Sequence, residues 1–319
     1  MSGQQYRQHD HIVFFHHPCL DGSAAAWCAY QKFGNTARYF GVDHGCYQTL
    51  DDLIVSQVLS HHTVYLIDFV PPLDLVKKLL GKAQKLIVLD HHYTSFMELQ
   101  GFEAQNLSTH FDLERSGAGI AWDYFMEGQE RPVFITLVEA IDLRKEDYFK
   151  DTNVFFDMAA YLDSLDISSF EQTLKLFGAM IKEDVASFTK QGSSFRYEAL
   201  QRIEDVLKQT EYVSLNLGNE RDLQKIPFVH GNIYDLGREF SSKLLEKCDG
   251  KNRVGIIWYE YKKNFIRFNI RTERGVSAIE IADTIKKRYG FNGGGHVHSA
   301  VVRMEKTQFD IFYSDNSEA

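Results

Sequence analysis

Three short apolar runs in the first hundred residues end in side chains that bind protons and metals. Residues 12–15 lead into His16-His17-Pro18-Cys19-Leu20-Asp21-Gly22-Ser23, residues 64–67 into Asp68, and residues 86–89 into Asp90-His91-His92. The first places imidazole and carboxylate together at a turn, where a structural histidine and a ligand are both open readings. Asp68 follows a wholly apolar run, and an ionised carboxylate is costly to bury unless it is paired, hydrogen-bonded or metal-bound. It reads equally as a ligand and as a cap on the Pro71-Pro72 turn. Asp90-His91-His92 decides between the two kinds of reading, because three consecutive ionisable groups at a strand terminus cannot all face solvent. Imidazole mixed with carboxylate suits Mn, Fe, Co or Zn, whereas an all-oxygen set would suit Mg or Ca. A fourth acidic residue, Asp142, ends a stretch in which Val133, Phe134, Leu137, Val138 and Ile141 recur at helical spacing.

These residues need a scaffold that brings strand ends together. Apolar runs of this length, interleaved with helical stretches at 23–30 and 73–80, read as buried parallel strands of an α/β sheet. In such sheets ligands bind beyond the carboxyl ends of the strands. The helix over 131–142 then delivers Asp142. From about 170 to 207 the chain reads as helical and polar, a connector. Beyond Tyr212 strands are expected at 253–259 and 265–270 and helices at 234–248 and 278–289, ending in Asn292-Gly293-Gly294-Gly295-His296. With 319 residues the chain has room for about two domains. The expected division is a metal-binding catalytic domain over 1–185, a helical linker over 186–211 and a smaller α/β substrate-binding domain over 212–319.

The formal net charge of -9 argues against a protein that coats long nucleic acid through a broad basic face, and leaves small or short anionic substrates open. The four cysteines, Cys19, Cys28, Cys46 and Cys248, have no CxxC or framework spacing, so neither a disulfide scaffold nor a structural zinc site is expected. With no apolar leader in MSGQQYRQHD and no membrane-spanning apolar stretch, a cytoplasmic protein without membrane association is expected. Gly117-Ala118-Gly119 after Ser116 reads as a helix start rather than a dinucleotide fingerprint. His61-His62 and Asp43-His44 read as surface or turn residues, and Trp27 with Tyr30 as packing for the helix after the first cluster. The glycine triplet is either a tight turn or a phosphate-binding nest, and His296 beside it favours the nest.

Taken in order, these clusters resemble the motifs of the DHH phosphoesterases, a family that includes RecJ-type exonucleases, oligoribonucleases, cyclic-dinucleotide phosphodiesterases and manganese pyrophosphatases. His16 to Gly22 is similar to motif I, Asp68 to motif II, Asp90-His91-His92 to the motif that names the family, and Asp142 to motif IV. The stretch from Arg271 to Gly293-Gly294-Gly295-His296 resembles the associated DHHA1 domain. The resemblance implies a parallel-sheet α/β catalytic domain followed by a smaller α/β domain. It further implies that His16, Asp21, Asp68, His91 and Asp142 ligate one or two divalent cations, usually Mn, with Asp68 bridging. Asp90 would orient His91, and His92 would hydrogen-bond the scissile phosphate. Arg271, Gly293, Gly294, Gly295 and His296 would hold the rest of a short oligonucleotide or small nucleotide, hydrolysed by a metal-activated water. Long duplex DNA is not an expected partner. Pyrophosphate or polyphosphate hydrolysis and an inactive nucleotide sensor are the rival readings. The departure is Cys19: motif I reads HxxCxDG where RecJ-like members have HxxDxDG, and a thiolate in the ligand set favours Zn or Fe over Mn. Either His16 or His17 could be the ligand of this motif, and the three-residue offset to position 19 favours His16.

Overall fold

The computed structural model describes residues 11–43, 46–55, 62–143, 145–216, 222–231, 237–248, 253–273, 276–290 and 292–317. Its architecture is α/β. The elements of the first half are β1 (His11–His16), α1 (Leu20–Phe33), β2 (Ala37–Val42), α2 (Gln48–Val55), β3 (Thr63–Ile67), α3 (Leu73–Leu80), β4 (Lys85–Asp90), α4 (Tyr93–Leu99), β5 (Leu107–Phe111), α5 (Gly117–Phe125), α6 (Val133–Leu143), α7 (Thr152–Asp163) and α8 (Phe170–Met180). The long α9 (Val185–Leu207) leads to β6 (Glu211–Asn216), β7 (Asp222–His230), α10 (Gly237–Leu245), β8 (Val254–Lys262), β9 (Phe265–Thr272), α11 (Ala278–Tyr289), β10 (Asn292–His296), β11 (Ser299–Glu305) and α12 (Lys306–Asn316).

The chain divides into two compact units, Met1–Ala159 with Leu165–Gln191, and Ala160–Ser164 with Gly192–Ala319. The segment read as a linker is thus largely α9, whose residues are divided between the two units. The helical stretch expected from 170 to 207 is two helices, α8 and α9.

In the first unit β1 to β5 form a parallel sheet in the order β2-β1-β3-β4-β5. Its central strands are apolar along their length because both faces are covered. On one face Ile12, Phe14, Val64, Leu66, Leu86 and Val88 share a core with Leu50, Leu75, Val76, Leu79 and Leu99 of α2, α3 and α4. On the other, Tyr65 meets Phe33 of α1 and Phe125 of α5. The strand order reverses direction between β1 and β3. That crevice is where open α/β sheets take ligands, and His16 and Asp68 flank it in sequence. Trp27 is buried against Trp122 and Phe134, and Tyr30 rests on Tyr39, so both residues pack α1 as expected. Asp43 is exposed and His62 half-buried; His44 and His61 lie outside the described residues.

The second unit is built on a mixed sheet in the order β10-β11-β9-β8-β7-β6, antiparallel except between β7 and β8. Phe228, Phe268, Phe309 and Phe312 centre one core, while Val229, Ile257, Phe240 and Leu244 form another. The helix expected from residue 234 is seen as α10, its first expected residues lying outside those described.

The glycine triplet is corrected by the structure. It is neither a turn nor a nest but the body of β10, paired antiparallel with β11. A Cβ on Gly293 would run into the Val301 carbonyl oxygen and one on Gly295 into that of Ser299. Gly295 also sits at φ 151, which side-chain-bearing residues rarely adopt. Close approach of two strands therefore accounts for these glycines.

Candidate metal centre

β1 ends at His16, and Cys19 is the extended N-cap residue of α1, with Asp21 in the first turn of that helix. Asp68 follows β3 directly and sits at φ 63, a left-handed conformation that asparagine and aspartate tolerate best among residues with a Cβ. Its backbone N–H donates to Leu89 O at 2.9 Å, so the chain is still tied to β4 at this point. The N-cap of α3 is Pro72 and has no side-chain cap, so Asp68 does not cap the proline turn. β4 ends in Asp90, His91 follows, and His92 is the N-cap residue of α4. Asp142 arrives from the last turn of α6.

These segments converge on His91. Its Nε2 lies 3.2 Å from Asp68 Oδ1, 3.5 Å from Asp142 Oδ2 and 3.6 Å from Asp21 Oδ2. The other oxygen of Asp68, Oδ2, is 3.3 Å from His16 Nδ1. Donor atoms of His16, Cys19 and Asp68 lie within 4.8 Å of one another, as do those of Asp21, His91 and Asp142, and those of Asp68, Asp90, His91 and His92. His17 is engaged elsewhere, with Ser23 Oγ at 3.4 Å and the Ser168 carbonyl at 3.1 Å, so His16 is the histidine of the first motif that joins the cluster.

Asp21, Asp68, Asp90 and His91 are buried, and burying so many carboxylates together requires compensation. Part of it comes from the protein. Asp21 accepts hydrogen bonds from the Gly117 and Ala118 amides at 2.7 and 2.8 Å, at the positive end of α5. Burial and the neighbouring Asp68 and Asp142 carboxylates still hold Asp21 well above the usual carboxylate range. Burial opposes a charge on His91, but the carboxylates of Asp68, Asp142 and Asp21 outweigh it and push its pKa up to about 11. Burial likewise acts against the ionised form of Asp68, yet the imidazoles of His16, His91 and His92 bring it well below the ordinary value. A cluster that holds protons this tightly has the charge of a cation site.

The donor chemistry fits a divalent cation. Among the described residues, Asp68 Oδ1, Asp90 Oδ2 and Asp142 Oδ2 are buried without a hydrogen-bond partner. Acceptors left this way cost about 1–3 kcal/mol each, a cost that coordination to a cation removes.

Asp90 acts differently from the expected orientation of His91. Its Oδ1 is 2.7 Å from His92 Nδ1 and also accepts from the backbone amides of His91 and His92. The ring whose tautomer it fixes is that of His92. In the second unit Arg271 Nη1 donates to Ser299 Oγ at 2.6 Å and to the Ile270 carbonyl at 3.2 Å. Arg271 pairs with Ser299 across β9 and β11, and Ser299 with His296 across β11 and β10. The three therefore occupy one rung of the sheet, which places their side chains on one face.

The sequence reading missed a support behind the centre. Glu139 is buried on α6, one turn before Asp142. Its Oε2 accepts from Arg115 Nε at 2.8 Å and from the Ser116 amide at 3.3 Å, and its Oε1 from Arg131 Nη1 at 2.9 Å. It thus ties α6 to the start of α5, where Ser116 caps the helix by accepting from Gly119 N. A Cβ on Gly119 would collide with the Glu139 carboxylate, and one on Gly117 would lie 2.9 Å from Asp68 Oδ1. Gly117-Ala118-Gly119 is the helix start that was expected, and its glycines admit carboxylates. The one signal for Glu139 in the sequence was a lone charge inside the apolar helix VFITLVEAIDL.

The chain is thus an α/β protein with buried histidine, carboxylate and thiol donors gathered at parallel strand ends. No family model matches it. It is 23% identical over 297 residues to an uncharacterized protein of Acanthamoeba polyphaga mimivirus, a match that takes in 89% of this chain and 65% of that relative's length. Among solved structures, CDC45 from Entamoeba histolytica superposes with a TM-score of 0.48 and 10% identity, covering 97% of this chain and 95% of that one. Homoserine dehydrogenase from S. aureus gives a TM-score of 0.23 at 9% identity, with 97% and 96% covered. At these scores neither likeness carries an argument about this chain. Among the described residues no helix is long and apolar enough to cross a membrane, and all four cysteines are free.

Proposed function

We propose that this chain is a divalent-metal-dependent phosphoesterase of the DHH type that hydrolyses short oligonucleotides or small nucleotides. The observation that carries the reading is the convergence of Asp21, Asp68 and Asp142 on His91 Nε2 within 3.2–3.6 Å, with carboxylate oxygens of Asp68 and Asp142 lacking hydrogen-bond partners. Asp21, His91, Asp142 and Asp68, with His16 and Cys19 on the other side of Asp68, would hold the metal. A bound divalent cation supplies Lewis acidity toward phosphoryl oxygens and brings water into the range of a nucleophile at neutral pH.

The remaining steps belong to side chains of the protein. Asp90 occupies His92 Nδ1 and stabilises positive charge on the ring, which leaves Nε2 to address a phosphoryl oxygen. His92 is 18% exposed, enough to meet a substrate, while Asp90 behind it is fully buried. Arg271, with Ser299 and His296 on the same rung, offers the charge and donors to grip a nucleotide phosphate. The acidic surface disfavours long duplexes as substrates.

The test is a panel of nitrophenyl phosphodiester, oligonucleotides of graded length, cyclic dinucleotide and pyrophosphate, assayed with Mn, Zn or Mg. Cleavage of the nucleotide esters, abolished by chelation and restored by a divalent cation, is expected. Cleavage of pyrophosphate alone would replace the substrate class, and metal binding without turnover on any ester would make the chain a sensor.

A further inference from the structure

Asp68 turns its two oxygens toward different donor sets. Oδ2 faces His16, which together with Cys19 makes a group containing sulfur, nitrogen and a single carboxylate. Oδ1 faces His91, which together with Asp21 and Asp142 makes a group of one nitrogen and two further carboxylates. The two sides have opposite chemical character. Thiolate with imidazole selects soft or borderline cations such as Zn or Fe, and carboxylate-rich sets suit Mn or Mg. Cys19 does not stand alone in this respect: Asp68 is buried to 1% exposure, belongs to the same group, and carries an Oδ1 with no hydrogen-bond partner.

We propose that the centre is built for two unlike cations, a thiophilic one on His16, Cys19 and Asp68 and a harder one on Asp21, His91 and Asp142, with Asp68 shared between them. This rests on the metal-centre reading above and adds to it a division of labour between the two sides. The thiol's place in the fold supports the division. Cys19 is the N-cap residue of α1, where its side chain makes no capping hydrogen bond, and the Asp21 carboxylate two residues on is taken by the α5 amides and lies toward His91. The start of α1 therefore sends its sulfur to one side and its carboxylate to the other.

The experiment uses the full chain freed of metal, Co²⁺ as a spectroscopic probe, and Zn²⁺ and Mn²⁺ supplied together for elemental analysis after dialysis. The unaltered protein is expected to show a thiolate-to-cobalt charge-transfer band in the near ultraviolet and to retain about one Zn and about one Mn per chain. Cys19→Ser is expected to lose the band and the Zn while keeping the Mn. Cys19→Asp, which restores a carboxylate, is expected to retain Mn on both sides and guards against a Cys19→Ser protein that fails to fold. Cys46→Ser and Cys248→Ser are expected to keep the band. A band that survives Cys19→Ser, or two Mn and no Zn in the unaltered protein, would overturn the proposal while leaving the metal centre standing. No retention of any cation by any of these proteins would overturn the centre itself.

Discussion

Asp68→Asn is expected to lose divalent cation at the centre while remaining folded. The carboxylate meets His16 through one oxygen and His91 through the other, at 3.3 and 3.2 Å, so it is common to both donor sets. Losing an outer hydrogen-bonding partner of a metal ligand typically costs ~10–100-fold in affinity, and removing a shared ligand should exceed the upper end of that range. Asparagine is the informative replacement because it preserves shape and tolerates the φ of 63° at this position. Asp68→Ala carries an added penalty of about 1–2 kcal/mol, the cost of the left-handed conformation for an ordinary residue. Equilibrium dialysis with elemental analysis, alongside circular dichroism, separates the two effects. Full metal content in folded Asp68→Asn would remove Asp68 from the ligand set.

Glu139→Ala is expected to give the largest loss of stability of any single change near the centre. Removing one partner of a buried ion pair costs about 3–5 kcal/mol, because the remaining charge is left uncompensated. Arg115 and Arg131 are only 25% and 23% exposed, so solvent cannot replace the carboxylate fully. Both also reach Asp123, at 2.9 and 2.8 Å, which places the expected value near the lower end of that range. The second consequence is for the metal. With Glu139 gone, the α5 amides that hold Asp21 and the helix that carries Asp142 lose their common anchor, and divalent-cation affinity should fall by ~10–100-fold. Glu139→Gln keeps the volume and an acceptor for the Ser116 amide and should recover much of the metal affinity. Urea midpoints and metal titrations of the two variants decide the matter. A stability loss under about 1 kcal/mol in Glu139→Ala would show that the arginines are satisfied without it.

The parts of the fold that were legible in the sequence are those whose burial is complete. β1, β3 and β4 have both faces covered, so they appear as uninterrupted apolar runs, and the chemistry at their ends is visible as the first polar residues after each run. The edge strands β2 and β5 escaped notice because they are half solvated: Leu107–Phe111 is nowhere fully buried, and Ala37–Val42 is buried only at its ends. The contact of Asp21 with the α5 amides joins residues 96 and 97 positions apart, and no local pattern encodes such a contact. Glycine has several uses, which is why Gly293-Gly294-Gly295 suggested a phosphate loop while serving strand packing. Asp90 was placed correctly at the end of β4 but assigned to the wrong imidazole, because the direction of a side chain at a strand terminus depends on the turn that follows.

The central claim is that the ends of β1, β3 and β4, together with α1 and α6, hold divalent metal. Calorimetric titration of the metal-free full chain with Mn²⁺ and with Zn²⁺ tests it most directly, with a variant carrying both Asp21→Asn and His91→Ala as the reference. The expected result is saturable binding of one or two cations per chain, with the reference losing at least the site on Asp21, His91 and Asp142. Binding that is absent in the unaltered protein, or undiminished in the reference, would contradict it.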